Sequence, residues 1–257
     1  MERKPRVALL IDADNSPASK IDLILNELST FGETSIRRAY GNWKKPELKG
    51  WEEQLQEHAI RPMQQYDYSK GKNASDMAMV IDAMALLYTD QPDAFGIVSS
   101  DADFTPLVMH LREKGAAVYG FGARKTPEPF VNACSRFLFL DKLAAVPDID
   151  LSANGADDKE APSSGAPLRV SPAQLKRDAK LVTLLRNAVI AAEDEDGWAR
   201  VGAVGQQISN QASFDPRNYG YATLSKLLAA TQLFDFAHEG TSQVSVRDKR
   251  QARGGKS

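Results

Sequence analysis

Carboxylates stand in three short stretches of this 257-residue chain, at places where they could do chemistry. Leu10-Ile11-Asp12-Ala13-Asp14-Asn15 closes one apolar run, and Val98-Ser99-Ser100-Asp101-Ala102-Asp103-Phe104 closes another. Asp76 opens the helical pattern that precedes the second run. If both runs are central strands, Asp12 and Asp101 project from adjacent carboxyl ends into one crevice, with Asp76 as a third acid. Clustered carboxylates raise one another's pKa unless a cation lies between them. Mg²⁺ suits such a place, because it takes oxygen ligands, keeps waters and uses one or two carboxylates plus substrate phosphates. A site of this kind can generate a hydroxide nucleophile and stabilise displacement at a phosphodiester. Simpler roles compete: Asp14 and Asn15 could cap a helix, Asp101 and Asp103 could form an Asx turn and N-cap, and Asp76 could complement its own helix dipole. Spacing alone fits phosphatases, nucleases and receiver-like domains equally.

The stretch Tyr66-Asp67-Tyr68-Ser69-Lys70-Gly71-Lys72-Asn73 places Lys70 and Lys72 among aromatics next to Asp76. That mixture could hold a phosphate backbone and stack a base, or be an ordinary solvated loop. Asp82 lies about 600° of helical rotation from Asp76 and reads as a solvated or structurally paired acid. His58, His110 and His238 show no ligand spacing, and Cys134 reads as a small buried apolar residue. Met77, Met79 and Met84 read as helix packing, and Gly120-Phe121-Gly122 is too weak a signal for a nucleotide loop.

The elements that must position these acids alternate strand and helix. Val7–Ile11 is wholly apolar, the pattern of a parallel strand covered on both faces. Ser16-Pro17 reads as N-cap and first helical position of a helix carrying Ile21, Ile24, Leu25 and Leu28. Strands follow at Thr34–Tyr40, Ile60–Gln64, Phe95–Ser99, Ala117–Phe121 and Phe137–Leu140. Pro62 places the second of these near a sheet edge. Helices are expected around Leu48–Leu55 and at Ser75–Tyr88, Pro106–Lys114 and Pro127–Ala133. The alternation predicts an α/β fold with a doubly wound, mainly parallel sheet, whose site lies beyond the carboxyl ends of the strands.

Composition sets the outer bounds. A hydrophobic fraction of 42% excludes wholesale disorder, and the single cysteine excludes an intrachain disulfide. No stretch approaches the roughly 20 apolar residues that span a bilayer, and the Val7–Ile11 run is too short for a signal-peptide core, so a cytoplasmic setting without membrane partners is expected. The net charge of −2 hides an uneven distribution. Residues 1–146 carry −2, residues 147–170 carry −3, and residues 171–257 carry +3. Residues 147–170 lack bulky apolar content and read as a flexible linker, and residues 248–257 as a basic tail. Residues 171–247 read as a small helical domain ending in a hairpin, a winged-helix pattern.

Taken together, Leu10–Asn15, Lys72-Asn73-Ala74-Ser75-Asp76 with Val80-Ile81-Asp82-Ala83-Met84, and Ser99–Phe104 closely resemble the NYN domain. Gly120-Phe121-Gly122 followed by Phe130-Val131-Asn132-Ala133-Cys134 extends the likeness, so that it covers roughly residues 5–145. NYN domains belong to the PIN-like nuclease superfamily, and the likeness extends to the LabA-like bacterial group. The resemblance implies a metal-dependent ribonuclease using Mg²⁺ or Mn²⁺. It implies Asp12, Asp76, Asp101 and Asp103 as the acidic metal site, with Asn15 as a polar neighbour. Ser100 departs from the pattern, since many relatives carry glycine before the acid pair. A haloacid-dehalogenase-type phosphatase also begins with Asp-x-Asp, but Asn15-Ser16-Pro17 does not continue as that family does.

The second region carries Phe214-Asp215-Pro216-Arg217-Asn218-Tyr219-Gly220-Tyr221 and Leu224-Ser225-Lys226-Leu227-Leu228, which resemble the LOTUS, or OST-HTH, module. The resemblance implies RNA binding, single-stranded or structured, with G-rich RNA preferred by some members. Arg217, Asn218, Tyr219, Tyr221 and Lys226 are the implied contacts, although both tyrosines could instead be packing aromatics. The expected protein is thus a ribonuclease targeted by its LOTUS domain, and the competing class is a non-catalytic RNA-binding adaptor. Oligomeric state stays open, a homo-oligomer included.

Overall fold

Val7, Ala8, Leu9, Leu10 and Ile11 are fully buried in strand β1 (Arg6–Asp12) of the computed structural model. Burying each of the larger side chains contributes about 1.5–3 kcal/mol, so this run anchors the sheet. The structure describes residues 3–66, 74–143, 169–238, 240–241 and 243–250. The expected linker lies largely, and the end of the basic tail wholly, outside the described residues, as do Lys70 and Lys72.

The chain continues through α1 (Ile21–Ser29), β2 (Glu33–Gly41), α2 (Glu52–Glu57), β3 (Arg61–Gln64) and α3 (Ala74–Thr89). Then follow β4 (Ala94–Val98), α4 (Thr105–Glu113), β5 (Ala117–Gly122), α5 (Glu128–Ala133), β6 (Arg136–Phe139) and the short α6 (Leu140–Leu143). Six strands form one sheet in the order β3-β2-β1-β4-β5-β6, and every adjacent pair is parallel. The first three strands step outward one way from β1, and the last three step outward the other way from β4. The switch point therefore falls between β1 and β4, where a doubly wound sheet opens its crevice. Pro62 sits on the edge strand β3, where its missing N–H costs no central ladder bond.

On one face, Met79 and Ala83 of α3 and Val108 and Leu111 of α4 pack with Ala8 and Leu10 of β1. The space for α1 on the sheet is set by Gly96: a Cβ there would meet Leu28 of α1 at 2.9 Å and Leu9 at 3.3 Å.

Two local expectations change. Pro17 is extended (ψ 127°) and makes no side-chain cap; a 3₁₀ turn, Ala18–Lys20, precedes α1. The hydroxyl of Ser16 instead donates to the carbonyl of Val98 on β4 (3.4 Å), so tertiary contact outcompetes capping. Met77 points to solvent at 59% exposure, whereas Met79 is fully buried: α3 turns one side of its methionine set outward.

A division into two compact units falls between Leu140 and Asp141. The second unit holds α7 (Pro172–Arg177), α8 (Ala179–Ala191), β7 (Ala199–Arg200), α9 (Val201–Gln211), α10 (Leu224–Thr231), β8 (Phe234–Ala237) and β9 (Ser245–Asp248). Ser171 and Gln174 form a capping box at α7, and Asp178 and Thr223 cap α8 and α10. The three strands pair antiparallel in the order β7-β9-β8. Leu181, Leu185, Ala188 and Val189 of α8 join Val204, Ile208, Leu227 and Leu228 in its own core.

Candidate active site

Asp12 is the last residue of β1, with 1% of its surface exposed. Just past the last β1–β4 pair, Ile11 with Val98, the Ser99 hydroxyl donates to Asp12 Oδ2 at 2.9 Å. The Asn15 amide donates to both Asp12 oxygens, at 3.2 and 3.0 Å. Burial pushes the Asp12 carboxyl above its ordinary range, the two donors oppose that rise, and the charge of Asp14 adds to it. Among the described residues, neutral donors alone hold this buried carboxylate, a costly arrangement that a cation would relieve.

The same Ser99 oxygen accepts the backbone N–H of Asp101 at 3.1 Å, so one hydroxyl ties both strand ends together. Asp101 Oδ1 accepts the backbone N–H of Asp103 at 2.9 Å, capping the 3₁₀ turn Ala102–Phe104. Asp101 is half-buried and Asp103 exposed. The Ser100 hydroxyl accepts the N–H of Ala123 at 2.8 Å, giving this departure from the family pattern a bracing contact to the segment after β5.

Asp76 enters from the first turn of α3. Its carboxyl is pushed up to about 6, first by burial and then by the charges of Asp12, Asp101, Asp14 and Asp103. Asp14 accepts from the buried Ser75 hydroxyl at 2.7 Å and lies 3.5 Å from Lys45 Nζ, so it joins the crevice instead of capping α1. Asn15 likewise spends its amide on Asp12. Asp82 is structural: it lies 2.5 Å from Arg38 and accepts from the Tyr40 hydroxyl.

Asn15, Ser100, Asp101, Ala102, Lys125 and Pro127 line a cleft of about 320 Å³ beside these acids. Sequence reasoning missed Ser99, Lys45 and Lys125 as site residues. For Ser99 a signal exists, a hydroxyl directly after an apolar strand. Lys125 carries none, because its place depends on β5 lying next to β4. Gly122 closes the back of the site: a Cβ there would sit 2.6 Å from the Ser99 carbonyl oxygen and 2.7 Å from the Thr126 hydroxyl. Gly120 would collide similarly with Phe137 and Cys134, so these glycines serve close packing. Cys134 is buried, its thiol pushed up to about 12.

The donor set around the crevice is all oxygen and strongly negative, which fits a hard divalent cation. Among the described residues, no three His, Cys, Asp or Glu side chains close around one metal-binding point. An ion there would rest on one or two carboxylates plus water and phosphate, the usual habit of Mg²⁺.

The NYN domain model matches residues 6–141, more than half of the chain. The chain belongs to the NYN domain family. The OST-HTH/LOTUS domain model matches residues 175–246. The uncharacterized protein MJ0482 of Methanocaldococcus jannaschii is 30% identical over 122 residues, which are 46% of this chain and 48% of that protein. The chain thus spans about half the length of the curated relative it matches. A crystal structure of a protein of unknown function from Vibrio parahaemolyticus superposes with a TM-score of 0.44 at 19% identity, covering 58% of this chain and 96% of that one. A solution structure of an uncharacterized Nitrosomonas europaea protein gives 0.26 at 26% identity, covering 39% and 90%. The NYN domain places this chain within a nuclease superfamily, and the OST-HTH/LOTUS match falls in its second unit.

In the LOTUS domain, both tyrosines named as RNA contacts take part in packing, Tyr221 buried and Tyr219 half-buried. Tyr221 is 8% exposed and donates its hydroxyl to the Val170 carbonyl at 2.8 Å. Tyr219 packs on Phe214 at 5.9 Å, and burial pushes its phenol up to about 12. Arg217 clamps the fully buried Asp215 with Nε at 3.0 Å and Nη2 at 2.7 Å. Asn218 is half-buried on the same turn, and Lys226 is exposed on α10. Among the described residues, no helix is long and apolar enough to cross a membrane.

Proposed function

We propose that this protein is a metal-dependent ribonuclease that hydrolyses RNA phosphodiester bonds in its NYN domain and is targeted to RNA by its LOTUS domain. The observation that carries the reading is the convergence of strand-end acids at the switch point, where Asp76 feels Asp12, Asp101, Asp14 and Asp103 at once. Hydrolysis forms a bond from water oxygen to phosphorus and breaks one P–O bond. The water gives up a proton and the leaving oxygen takes one. A bound Mg²⁺ or Mn²⁺ would acidify that water and neutralise phosphate charge. Asp12 and Asp101 are the proposed direct ligands, with Asp76 next and Asp103 direct or through water. Asn15 and Ser99 hold Asp12 in place, and Ser100 braces the turn that carries Asp101. Lys70 and Lys72 precede α3 in sequence and are assigned to phosphate positioning.

Arg217, Asn218 and Lys226 are the proposed RNA contacts of the LOTUS domain, with G-rich RNA as one class to test. Joining the two domains through residues 147–170 would raise the effective concentration of bound RNA at the nuclease. Hydrolysis in the cytoplasm fits this assignment.

Purified protein with Mn²⁺ should cleave single-stranded RNA, and Asp12→Asn/Asp101→Asn should lose at least about a hundredfold in rate, the order expected when transition-state charge stabilisation is removed. Cleavage equal to wild type would reject the site. The second reading, a non-catalytic RNA-binding adaptor, draws on Asp12 already being engaged by Asn15 and Ser99. RNA binding without cleavage under any divalent cation would select it.

A further inference from the structure

The acid crevice repels a polyanion, so affinity for an RNA strand has to come from its flanks. One flank is built at the β2–β3 side of the carboxyl edge. Asp12 pairs in register with Tyr40 on β2, and Gly41 pairs with Gln64 on β3. The segments leaving these two strands are stitched together. The Trp43 N–H donates to Gln64 Oε1 at 3.1 Å, and the Gln64 amide donates to Asn42 Oδ1 at 3.0 Å. The N–H of Gln65 donates to the Gly41 carbonyl at 3.0 Å.

On this stitched base, Lys44 Nζ lies 5.0 Å from the ring centroid of Tyr66. Tyr66 is 49% exposed and Lys44 is exposed. Among the described residues, the Lys44 ammonium meets no carboxylate. The next residue, Lys45, reaches back to Asp14 in the crevice at 3.5 Å. Two strand spacings, about 10 Å, separate β3 from β1, which places this edge next to the crevice.

Resting on the ribonuclease reading, we propose that Lys44 and Tyr66 form a nucleotide subsite for the RNA strand flanking the scissile bond. The Tyr66 ring stacks a base, and the Lys44 ammonium takes a phosphate of the same strand. An aromatic face beside a cation is the combination that holds single strands without sequence preference. The hydrogen bonds between the two segments fix the platform before RNA arrives, which lowers the ordering cost of binding.

Two measurements on the full chain test this. Asp12→Asn/Asp101→Asn protein is irradiated with a single-stranded oligoribonucleotide carrying 4-thiouridine, and cross-linked peptides are mapped. A cross-link at Tyr66, lost in Tyr66→Ala, is expected. Cross-links confined to residues 169–250 overturn the subsite and leave the nuclease reading standing. In the metal-loaded enzyme, Tyr66→Ala and Lys44→Ala should each raise KM for RNA about tenfold, with Tyr66→Phe restoring it. A loss confined to kcat, or failure of Tyr66→Phe to rescue, overturns the assignment. If wild-type protein cleaves no RNA, the ribonuclease reading falls and the cross-link alone decides the subsite.

Discussion

Asp12 and Asp215 are equally hidden from solvent, yet their surroundings differ. Asp215 is met by a bidentate guanidinium from Arg217, together with the Arg217 backbone N–H at 2.8 Å. Asp12 is met by a hydroxyl and an amide, with further carboxylates beyond them. Breaking a compensated pair exposes the remaining partner's desolvation cost, whereas an uncompensated charge is itself the cost. One aspartate locks a turn in the LOTUS domain. The other keeps negative potential in reserve at a switch point, the pattern of a site that trades stability for chemistry.

The largest test of this contrast is Asp215→Ala. It should destabilise the LOTUS domain by about 3 kcal/mol in chemical denaturation, because a buried carboxylate's ion pair with half-buried Arg217 and a cap are lost together. Asp12→Asn should change NYN domain stability far less, and in metal-free protein should raise it. Equal losses for both would end the comparison.

A pH series sharpens it. The Asp76 carboxyl sits near 6 in the folded protein against 3.8 ordinarily, so the native state holds that proton more tightly than the unfolded chain does. Its stabilising contribution is complete below about pH 4 and is lost as pH rises through about 6. In the presence of chelator, the melting-temperature advantage of Asp76→Asn over wild type should therefore grow between pH 4 and pH 7. An advantage that does not change with pH would mean the crevice charges do not act on Asp76.

Tyr221→Phe, the mildest change, removes one hydrogen bond to Val170 and should cost about 1 kcal/mol of LOTUS stability. A large loss of RNA affinity at unchanged stability would instead restore Tyr221 as a contact.

Much of the fold was legible because particular residues constrain it. Val7–Ile11 announced a strand covered on both faces, Pro62 pointed to an edge, and the acids after Ile11 and Val98 marked strand ends. Strand order was less so: nothing local says that β1 lies against β4, and the bond from Ser99 to Asp12 crosses 87 residues of sequence. Ser16 misled because its hydroxyl found a strand carbonyl in place of a helix N-terminus. Tyr219 and Tyr221 stayed open between contact and packing because composition does not reveal whether an aromatic faces out or in.

Gly122 carries none of the chemistry, yet even a single methyl group there would press on the backbone of Ser99, the residue that secures both Asp12 and Asp101. A random screen for inactive variants should thus return position 122 alongside the aspartates. Such mutants would look like folding lesions in the sequence record while being, in effect, misaligned tools.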